Sequence, residues 1–364
     1  MKTAGELIPW KVTDISLRPY SHFWSFNPSI CHDGDLWLCT LRCADYCMEG
    51  GATIRSKKAL PGESRTKNAM VIFDPTTWRP VEIYKMKERD GLPRASCSSV
   101  GYEDIRLFRT DKGGLQGIAA SLHLRRDRSS RKQIAEQVLL SFDENYDIVD
   151  AAPIRGSWSS ESQKNWVPFD DCAEPRFLYA IAEGTLFGDR GPLRGDEALA
   201  RLSAGYRPRT SPDLDDRAMR RARERAREAE SERASEQRRR DERARRERRS
   251  DLSNIVEDET APLRGGTQLV HVGDDAWLGI GHAMKLVGRL KFYYHVWYLV
   301  DDRGRMKSAS PPMKLAPESI EFAAGLAIDG DRVVVSFGVD DYTARLGETS
   351  LSALLDTLLR VGAK

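Results

Sequence analysis

No apolar run in this 364-residue chain comes near the roughly 18–20 residues needed to span a bilayer. Its opening stretch, Met1 to Tyr20, has no continuous apolar core of the kind a secretory leader carries. A soluble, cytoplasmic protein is the expectation. An excess of one charge is also lacking. Lys and Arg number 57 against 55 Asp and Glu, a net charge of +2, which excludes a histone-like basic surface over the whole molecule. Cysteine is sparse: Cys31, Cys39, Cys43, Cys47, Cys97 and Cys172. In a large chain with no leader these thiols fit a reducing compartment better than a disulfide framework. Cys39, Cys43 and Cys47 recur at even intervals, but the further ligands of a tetrahedral site are missing, so no metal is expected. Alternation of strand and helix is absent too, which argues against a doubly wound parallel sheet.

What is present is a succession of short strands. Leu36–Arg42, Ala69–Phe73, Ile105–Arg109, Leu115–His123, Gln137–Phe142, Asn165–Phe169 and Phe177–Ala182 read as strands in the first half. Gln268–Val272, Ala276–His282, Leu290–Val300, Phe322–Ile328 and Arg332–Val339 follow in the second. Tight-turn sequences such as Asp33-Gly34-Asp35, Lys112-Gly113-Gly114 and Asp329-Gly330-Asp331 separate several of them, the pattern of antiparallel hairpins. Units beginning near Asn27, Glu103, Lys164, Arg264 and Glu321 are spaced by 76, 61, 100 and 57 residues. The long interval contains a charged insertion; without it the units run to roughly 60 residues, which suits the blades of a propeller. The expected fold is therefore all-β, a five-bladed β-propeller. Its parts would be residues 1–187 (blades 1–3), an insertion over 188–263, blades 4–5 over 264–348, and a terminal helix over 349–364.

Within the insertion, Asp213 to Asp251 holds 15 Arg against 12 Asp or Glu. Its Ala, Arg and Glu content favours a solvated helix or a partly disordered arm, and without an apolar a/d repeat it cannot form a coiled-coil seam. The density of guanidinium groups makes nucleic acid a conceivable partner, opposed by the interspersed acids. At the chain's end, leucines at 351, 354, 355, 358 and 359 predict an amphipathic helix over Ser350–Val361 with Ser350 as its N-cap.

Charged and polar residues at the edges of apolar strands carry the chemistry. They are Asn27-Pro28-Ser29 with Arg42; Glu103-Asp104-Ile105-Arg106-Leu107-Phe108; and Lys164-Asn165-Trp166-Val167-Pro168-Phe169. Arg264-Gly265-Gly266-Thr267 leads to Trp277-Leu278-Gly279-Ile280-Gly281-His282, and Phe322 leads to Ser336-Phe337-Gly338-Val339-Asp340-Asp341. Each has a structural reading as well. Asp104 and Arg106, two apart, suit an ion pair; Lys164 suits a solvated strand end; His282 suits a hydrogen-bonded core histidine. Trp166, Trp277 and Trp297 read as core rather than as stacking platforms. Asp340-Asp341 has no further ligands to make a metal pair.

In this order, from Asn27 to Leu346 without the insertion, the motifs resemble the inverting β-mannoside phosphorylases of glycoside hydrolase family 130 and their glycosyltransferase-like relatives. The resemblance implies a central funnel that holds a sugar. It implies Asp104 as general acid/base, Arg42, Lys164 and His282 as the phosphate or donor cradle, and Phe322 and Asp341 as sugar contacts. Asn27, Arg106, Asn165, Arg264 and Thr267 complete the expected substrate-binding set, and no cofactor is called for. One acid and a cationic cradle are what a single-displacement transfer onto phosphate needs. Two departures leave the donor open between inorganic phosphate, a sugar phosphate and a nucleotide sugar. Ile105 stands where the family has proline, and the strand Phe177–Ala182 lacks its His-bearing motif. With a nucleotide sugar or sugar phosphate, Asp104 would instead be the base that deprotonates an acceptor hydroxyl. The leading expectation is thus a glycosyltransferase or glycoside phosphorylase. A non-catalytic propeller that binds a glycan or protein is the first alternative. An enzyme glycosylating nucleic acid held by the basic arm is the second.

Overall fold

Side chains along a strand alternate between its two faces, and Leu36–Ala44 shows what this chain makes of that rule. In the computed structural model Trp37, Cys39, Leu41 and Cys43 enter one buried cluster, while Leu38 enters another. Thr40 and Arg42 share the face of Leu38, and their side chains bond to Ile105 and Asp104 respectively. Both faces of the strand are therefore covered, as in a sheet packed between two neighbours. The structure describes residues 2–49, 52–56, 59, 64–90, 92, 99–110, 114–122, 135–154, 164–181, 185–188, 191–192, 263–273, 275–287, 290–317 and 320–360. The chain divides into two units, Met1–Leu193 with Glu259–Lys364, and Arg194–Asp258. The helix or arm expected over Asp213–Asp251, its nucleic-acid contact and Cys97 lie outside the described residues.

The first unit is all-β and propeller-like. A first sheet orders Trp24–Asp33, Leu36–Ala44, Ser64–Phe73 and Pro80–Lys85, with Ser99–Val100 pairing in parallel beside Ser64–Phe73. A second orders Tyr102–Thr110, Gly114–Ser121, Glu136–Phe142 and Ile148–Pro153. A third comprises Val167–Pro168, Arg176–Ala180, Thr185–Gly188 and Gly191–Pro192. The fourth is built on Trp277–Val287 and Leu290–Val300, flanked by Arg264–Gly265, Val270–His271 and Met306–Ala309. The last orders Glu321–Asp329, Arg332–Val339 and Thr343–Ser350, and the early strand Lys11–Asp14 joins its outer edge. A two-stranded ribbon, Tyr46–Glu49 with Ala52–Arg55, projects from the first sheet's second strand.

Each large apolar cluster is shared by two sheets. Leu38 and Met70 meet Leu107 and Val138; Phe108 and Ile118 meet Phe177. Leu178 meets Trp277 and Tyr298; Ile280 and Trp297 meet Val335 and Phe337. Ile30, Cys39 and Val71 then meet Val334 and Leu346, which closes the circuit from the last sheet to the first. Trp166 and Trp297 are fully buried and Trp277 nearly so, in keeping with their reading as core. Cys31, Cys39, Cys43 and Cys47 are buried and none is in a disulfide. Among the described residues no group of three or more His, Cys, Asp or Glu is arranged to hold a metal, and no helix is long and apolar enough to cross a membrane.

Two expectations are corrected. The helix forecast for Ser350–Val361 is only Leu351–Leu355 long, although Ser350 does cap it, its hydroxyl accepting from the Ala353 N–H at 3.1 Å. Beyond it Leu359–Arg360 pairs with Met306–Ala309. An open sheet edge offers backbone partners that outweigh helix propensity in so short a segment. The strand expected over Asn165–Phe169 shrinks to Val167–Pro168, because Asn165 takes a positive φ of 63° and Pro168 has no N–H to extend the ladder.

Buried polar side chains tie the inner strands together. Gln268 donates through Nε2 to the carbonyls of Ile30 (2.8 Å) and Leu326 (2.5 Å) and accepts from the Leu326 N–H at 3.0 Å. Ser336 accepts from the Ile30 N–H at 2.9 Å and donates to the Pro28 carbonyl at 2.6 Å. Gln268→Leu removes the side-chain partners of the Ile30 and Leu326 carbonyls and of the Leu326 N–H, in two sheets and a fully buried place. It is expected to lose roughly 3 kcal/mol of stability, measured by urea unfolding, whereas Gln268→Glu at low pH keeps part of the network.

Candidate active site

Two register shifts aim the site. Phe26 pairs with Arg42 and Ser29 with Thr40, so Asn27 and Pro28 together oppose one residue. Glu103 pairs with Ala120 and Arg106 with Ile118, so Asp104 and Ile105 do the same in the second sheet. Asn27 has φ 47° and Asp104 φ 52°, the left-handed first position of a bulge, which Asn and Asp enter more readily than other side chains. The bulge turns Asp104 to the same side as Ile105, towards the first sheet, and leaves Arg106 on the other. Asp104 therefore accepts from Asn27 Nδ2 at 2.9 Å and Arg42 Nη1 at 2.9 Å. Arg106 donates instead to the Gly266 carbonyl and, at 3.0 Å, to Asn165 Oδ1. A direct Asp104–Arg106 pair, the structural reading of their spacing, is not made. Gly338 is required opposite the first bulge, since a Cβ there would fall 2.1 Å from Asn27 Oδ1 and 2.6 Å from its backbone nitrogen.

Arg42 is the hub. Its side chain is 5% exposed; Nη2 lies 3.1 Å from Glu103 Oε1 and donates to the Tyr46 hydroxyl at 2.6 Å. Its guanidinium carbon stands 5.2 Å from the Phe26 ring centroid. Lys164 Nζ reaches the other Glu103 oxygen at 3.1 Å, so Glu103 bridges the two cations. Burial would lower the pKa of Arg42, but Glu103 and Asp104 raise it well above its ordinary value. Burial pushes the Asp104 carboxyl up, yet Arg42, the Asn27 amide and Arg106 together hold it below the usual carboxylate range. Asp104 is an ionised group here.

Asp341 differs. It sits with Asp340 in the turn between Arg332–Val339 and Thr343–Ser350, both with positive φ (54° and 48°) and with the Tyr342 N–H donating to the Val339 carbonyl at 2.9 Å. Left-handed positions in a hairpin turn are ones that Asp enters more readily than most side chains. Burial pushes the Asp341 carboxyl up to about 6, with Arg42 opposing the rise and Asp104, Glu103 and Asp340 adding to it. His282 is 3% exposed, between Tyr293 (5.5 Å) and Phe322 (5.2 Å). Burial, with Arg106 and Arg264 nearby, lowers its pKa to about 3, so it is a neutral imidazole, and its Nδ1 has no hydrogen-bond partner. Arg106 packs over Phe322 at 5.4 Å.

The structure thus joins Asn27, Arg42, Asp104 and Lys164 in one bonded network, puts Asp341 in electrostatic reach of Arg42 and Asp104, and joins Arg106 to Asn165, Phe322 and His282. Arg264 is exposed but pairs across the strands with His282 and acts on it and on Tyr293. The Thr267 hydroxyl stands apart, spent on the backbone, donating to Gln268 O at 2.9 Å and accepting from Ile280 N at 3.1 Å. The sequence reading assigned no role to Glu103, Tyr46 or Tyr293. Glu103 was legible as a second acid beside Asp104; Tyr46 lies four residues after Arg42, past the strand end, where periodicity gives no signal.

Comparison with solved structures follows this geometry. The fold is similar to that of solved structures described as mannoside phosphorylases and glycoside hydrolases. A structure from a report on the family 130 mannoside phosphorylases, containing glycoside hydrolases that target β-1,2 mannosidic linkages in Candida mannan, matches at TM-score 0.53 and 11% identity, over 91% of this chain and 85% of the other. A glycosyl hydrolase from Bacteroides ovatus matches with the same TM-score, identity and coverage. No family model and no curated protein sequence matches.

Arg42→Met removes the largest influence that keeps Asp104 ionised, leaving only the Asn27 amide and Arg106 to oppose burial. The Asp104 carboxyl is then expected to titrate at higher pH than in the unsubstituted protein, read by carbon NMR of labelled aspartate; an unchanged titration would mean that Arg42 does not set its charge.

Proposed function

We propose that this protein is a carbohydrate-active enzyme that transfers a glycosyl group from a β-linked glycoside to a hydroxyl acceptor, water included. The sheets act as blades around one channel, and the polar network lines its mouth. The observation that carries this reading is the Asp104 carboxylate, turned inward by a bulge and kept ionised by Arg42 and Asn27. An ionised carboxylate on a fixed backbone is suited to take the proton from an attacking hydroxyl. Phe322, Tyr293 and neutral His282 supply an apolar and hydrogen-bonding wall for a sugar ring, with Asn27, Arg106 and Asn165 beside it.

The charge balance argues for a hydroxyl rather than free phosphate as the attacking group. Arg42 and Lys164, expected to hold phosphate, are both bound to Glu103, and His282 carries no charge at neutral pH. A phosphate dianion would have to displace an internal carboxylate from both cations. One fold neighbour comes from a report on a family containing glycoside hydrolases that target β-1,2 mannosidic linkages, which makes β-mannosides the first donors to test.

The test is a panel of β-linked disaccharides, β-1,2-mannobiose first, assayed with and without phosphate. Turnover independent of phosphate is expected, and Asp104→Asn should reduce it by roughly 10²–10⁴-fold while the melting temperature is kept. Turnover that requires phosphate and yields a sugar phosphate would overturn the choice of acceptor. Full activity of Asp104→Asn would overturn the enzyme reading.

A further inference from the structure

The strand Lys11–Asp14 covers only part of the edge of Thr343–Ser350. Its pairing ends with Lys11 opposite Glu348, so Thr349 and Ser350 run on past it. A cavity of about 510 Å³ lies at this uncovered edge, with Trp10, Lys11, Asp331, Glu348, Thr349 and Ser350 among its lining. That volume is in the range of small-molecule sites. Asp331 and Asp340 bracket the strand Arg332–Val339, a separation of roughly 30 Å at the rise of a strand. The cavity therefore sits at the other end of the last sheet from the Asp340-Asp341 turn, and none of its lining residues belongs to the Arg42 network.

Trp10 is a fixed plate in this cavity. Its Nε1 donates to the Leu315 carbonyl at 3.0 Å. Its six-membered ring lies against Gly347, where a Cβ would fall 2.0 Å from Cζ2, 2.3 Å from Cη2 and 2.7 Å from Cε2. The bare glycine thus meets one face of the indole and leaves the opposite face to the cavity. Positions 347 and 349 share a face of their strand, so Thr349 stands beside the indole. It is 8% exposed, and its Oγ1 has no hydrogen-bond partner among the described residues, an unmet need that a ligand hydroxyl can fill. Charges at the rim cancel. Glu348 Oε1 lies 3.6 Å from Lys11 Nζ, and Oε2 accepts from Arg332 Nε at 2.9 Å, while Asp331 takes the Ser352 N–H at 2.8 Å. Both carboxylates keep lone pairs for further donors, yet two cations against two anions leave no net field for an ion.

We infer that this cavity is a second saccharide site, in which one neutral sugar unit stacks its C–H face on Trp10 and bonds through its hydroxyls to Asp331, Glu348 and Thr349. The site binds glycan without acting on it. In the proposed glycosyl transfer it holds one stretch of a long glycan while another reaches Asp104; that role and the choice of a mannoside probe rest on the proposed function, and the binding itself does not.

The test is binding, read on the Trp10 indole N–H by nitrogen NMR in Asp104→Asn, where turnover does not consume the probe. The probes are β-1,2-mannobiose, cellobiose and maltose, with glucuronate and inorganic phosphate as anions. A saturable shift of the Trp10 signal is expected with at least one neutral disaccharide and with neither anion. Thr349→Val, which keeps the shape of the side chain, should weaken this binding roughly tenfold at an unchanged melting temperature. Trp10→Ala, followed by calorimetry, should lose it, while the same substitution with Asp104 intact leaves kcat/KM on β-1,2-mannobiose unchanged. No shift with any neutral sugar, an equal shift with either anion, or full binding by Thr349→Val would overturn the inference. Should Trp10→Ala lower the melting temperature, Thr349→Val decides alone. A shift at Trp10 in a protein that turns over no glycoside would uphold this site and sink the proposed function instead.

Discussion

The site depends on the two bulges of the inner strands more than on any single bond. A regular ladder would send Asp104 and Arg106 to one face, where they would neutralise each other. The extra residue at Asp104 breaks that parity. The carboxylate then meets the Arg42 guanidinium of the first sheet, and Arg106 is left to anchor Gly266 and Asn165. The matching bulge at Asn27 supplies the second donor to Asp104 and needs the bare backbone of Gly338 opposite. Glycine there and the left-handed Asn and Asp are parts of one device.

Electrostatics follows from that placement. Arg42 meets two carboxylates and a phenol while nearly buried, and a guanidinium suits this because its planar fork serves several acceptors at once. Lys164, at the more exposed rim, closes the bridge through Glu103. Cations and carboxylates here answer each other, so little positive field remains to attract a free dianion. Asp341 feels the negative side of this balance, with Arg42 opposing it.

Much of the fold was legible because both faces of most strands are apolar. Leu36–Ala44, Leu290–Val300 and Arg332–Val339 announce themselves as runs of Val, Leu and aromatics. The strand Thr343–Ser350, Thr-Ala-Arg-Leu-Gly-Glu-Thr-Ser, did not: only Ala344 and Leu346 enter the core, and its pairing with Lys11–Asp14 across the whole chain length has no local signature. The helix after Ser350 was overstated because a leucine repeat cannot reveal the sheet edge that claims Leu359. At the site, residue types and order pointed to Arg42, Asp104, Lys164 and Asp341, but spacing alone suggested the wrong partner for Asp104. A register shift cannot be seen in spacing. The backbone bonds of the Thr267 hydroxyl were hidden for a related reason: its hydroxyl suits a ligand equally well until the backbone beside it is known.

The central claim is that the Asp104 carboxylate faces the anomeric carbon of a bound glycoside. A crystal structure of Asp104→Asn with β-1,2-mannobiose bound tests it most directly. The account predicts the disaccharide beside the Arg42 network with its anomeric carbon next to the amide of residue 104. A disaccharide seated away from the Arg42 network would contradict it.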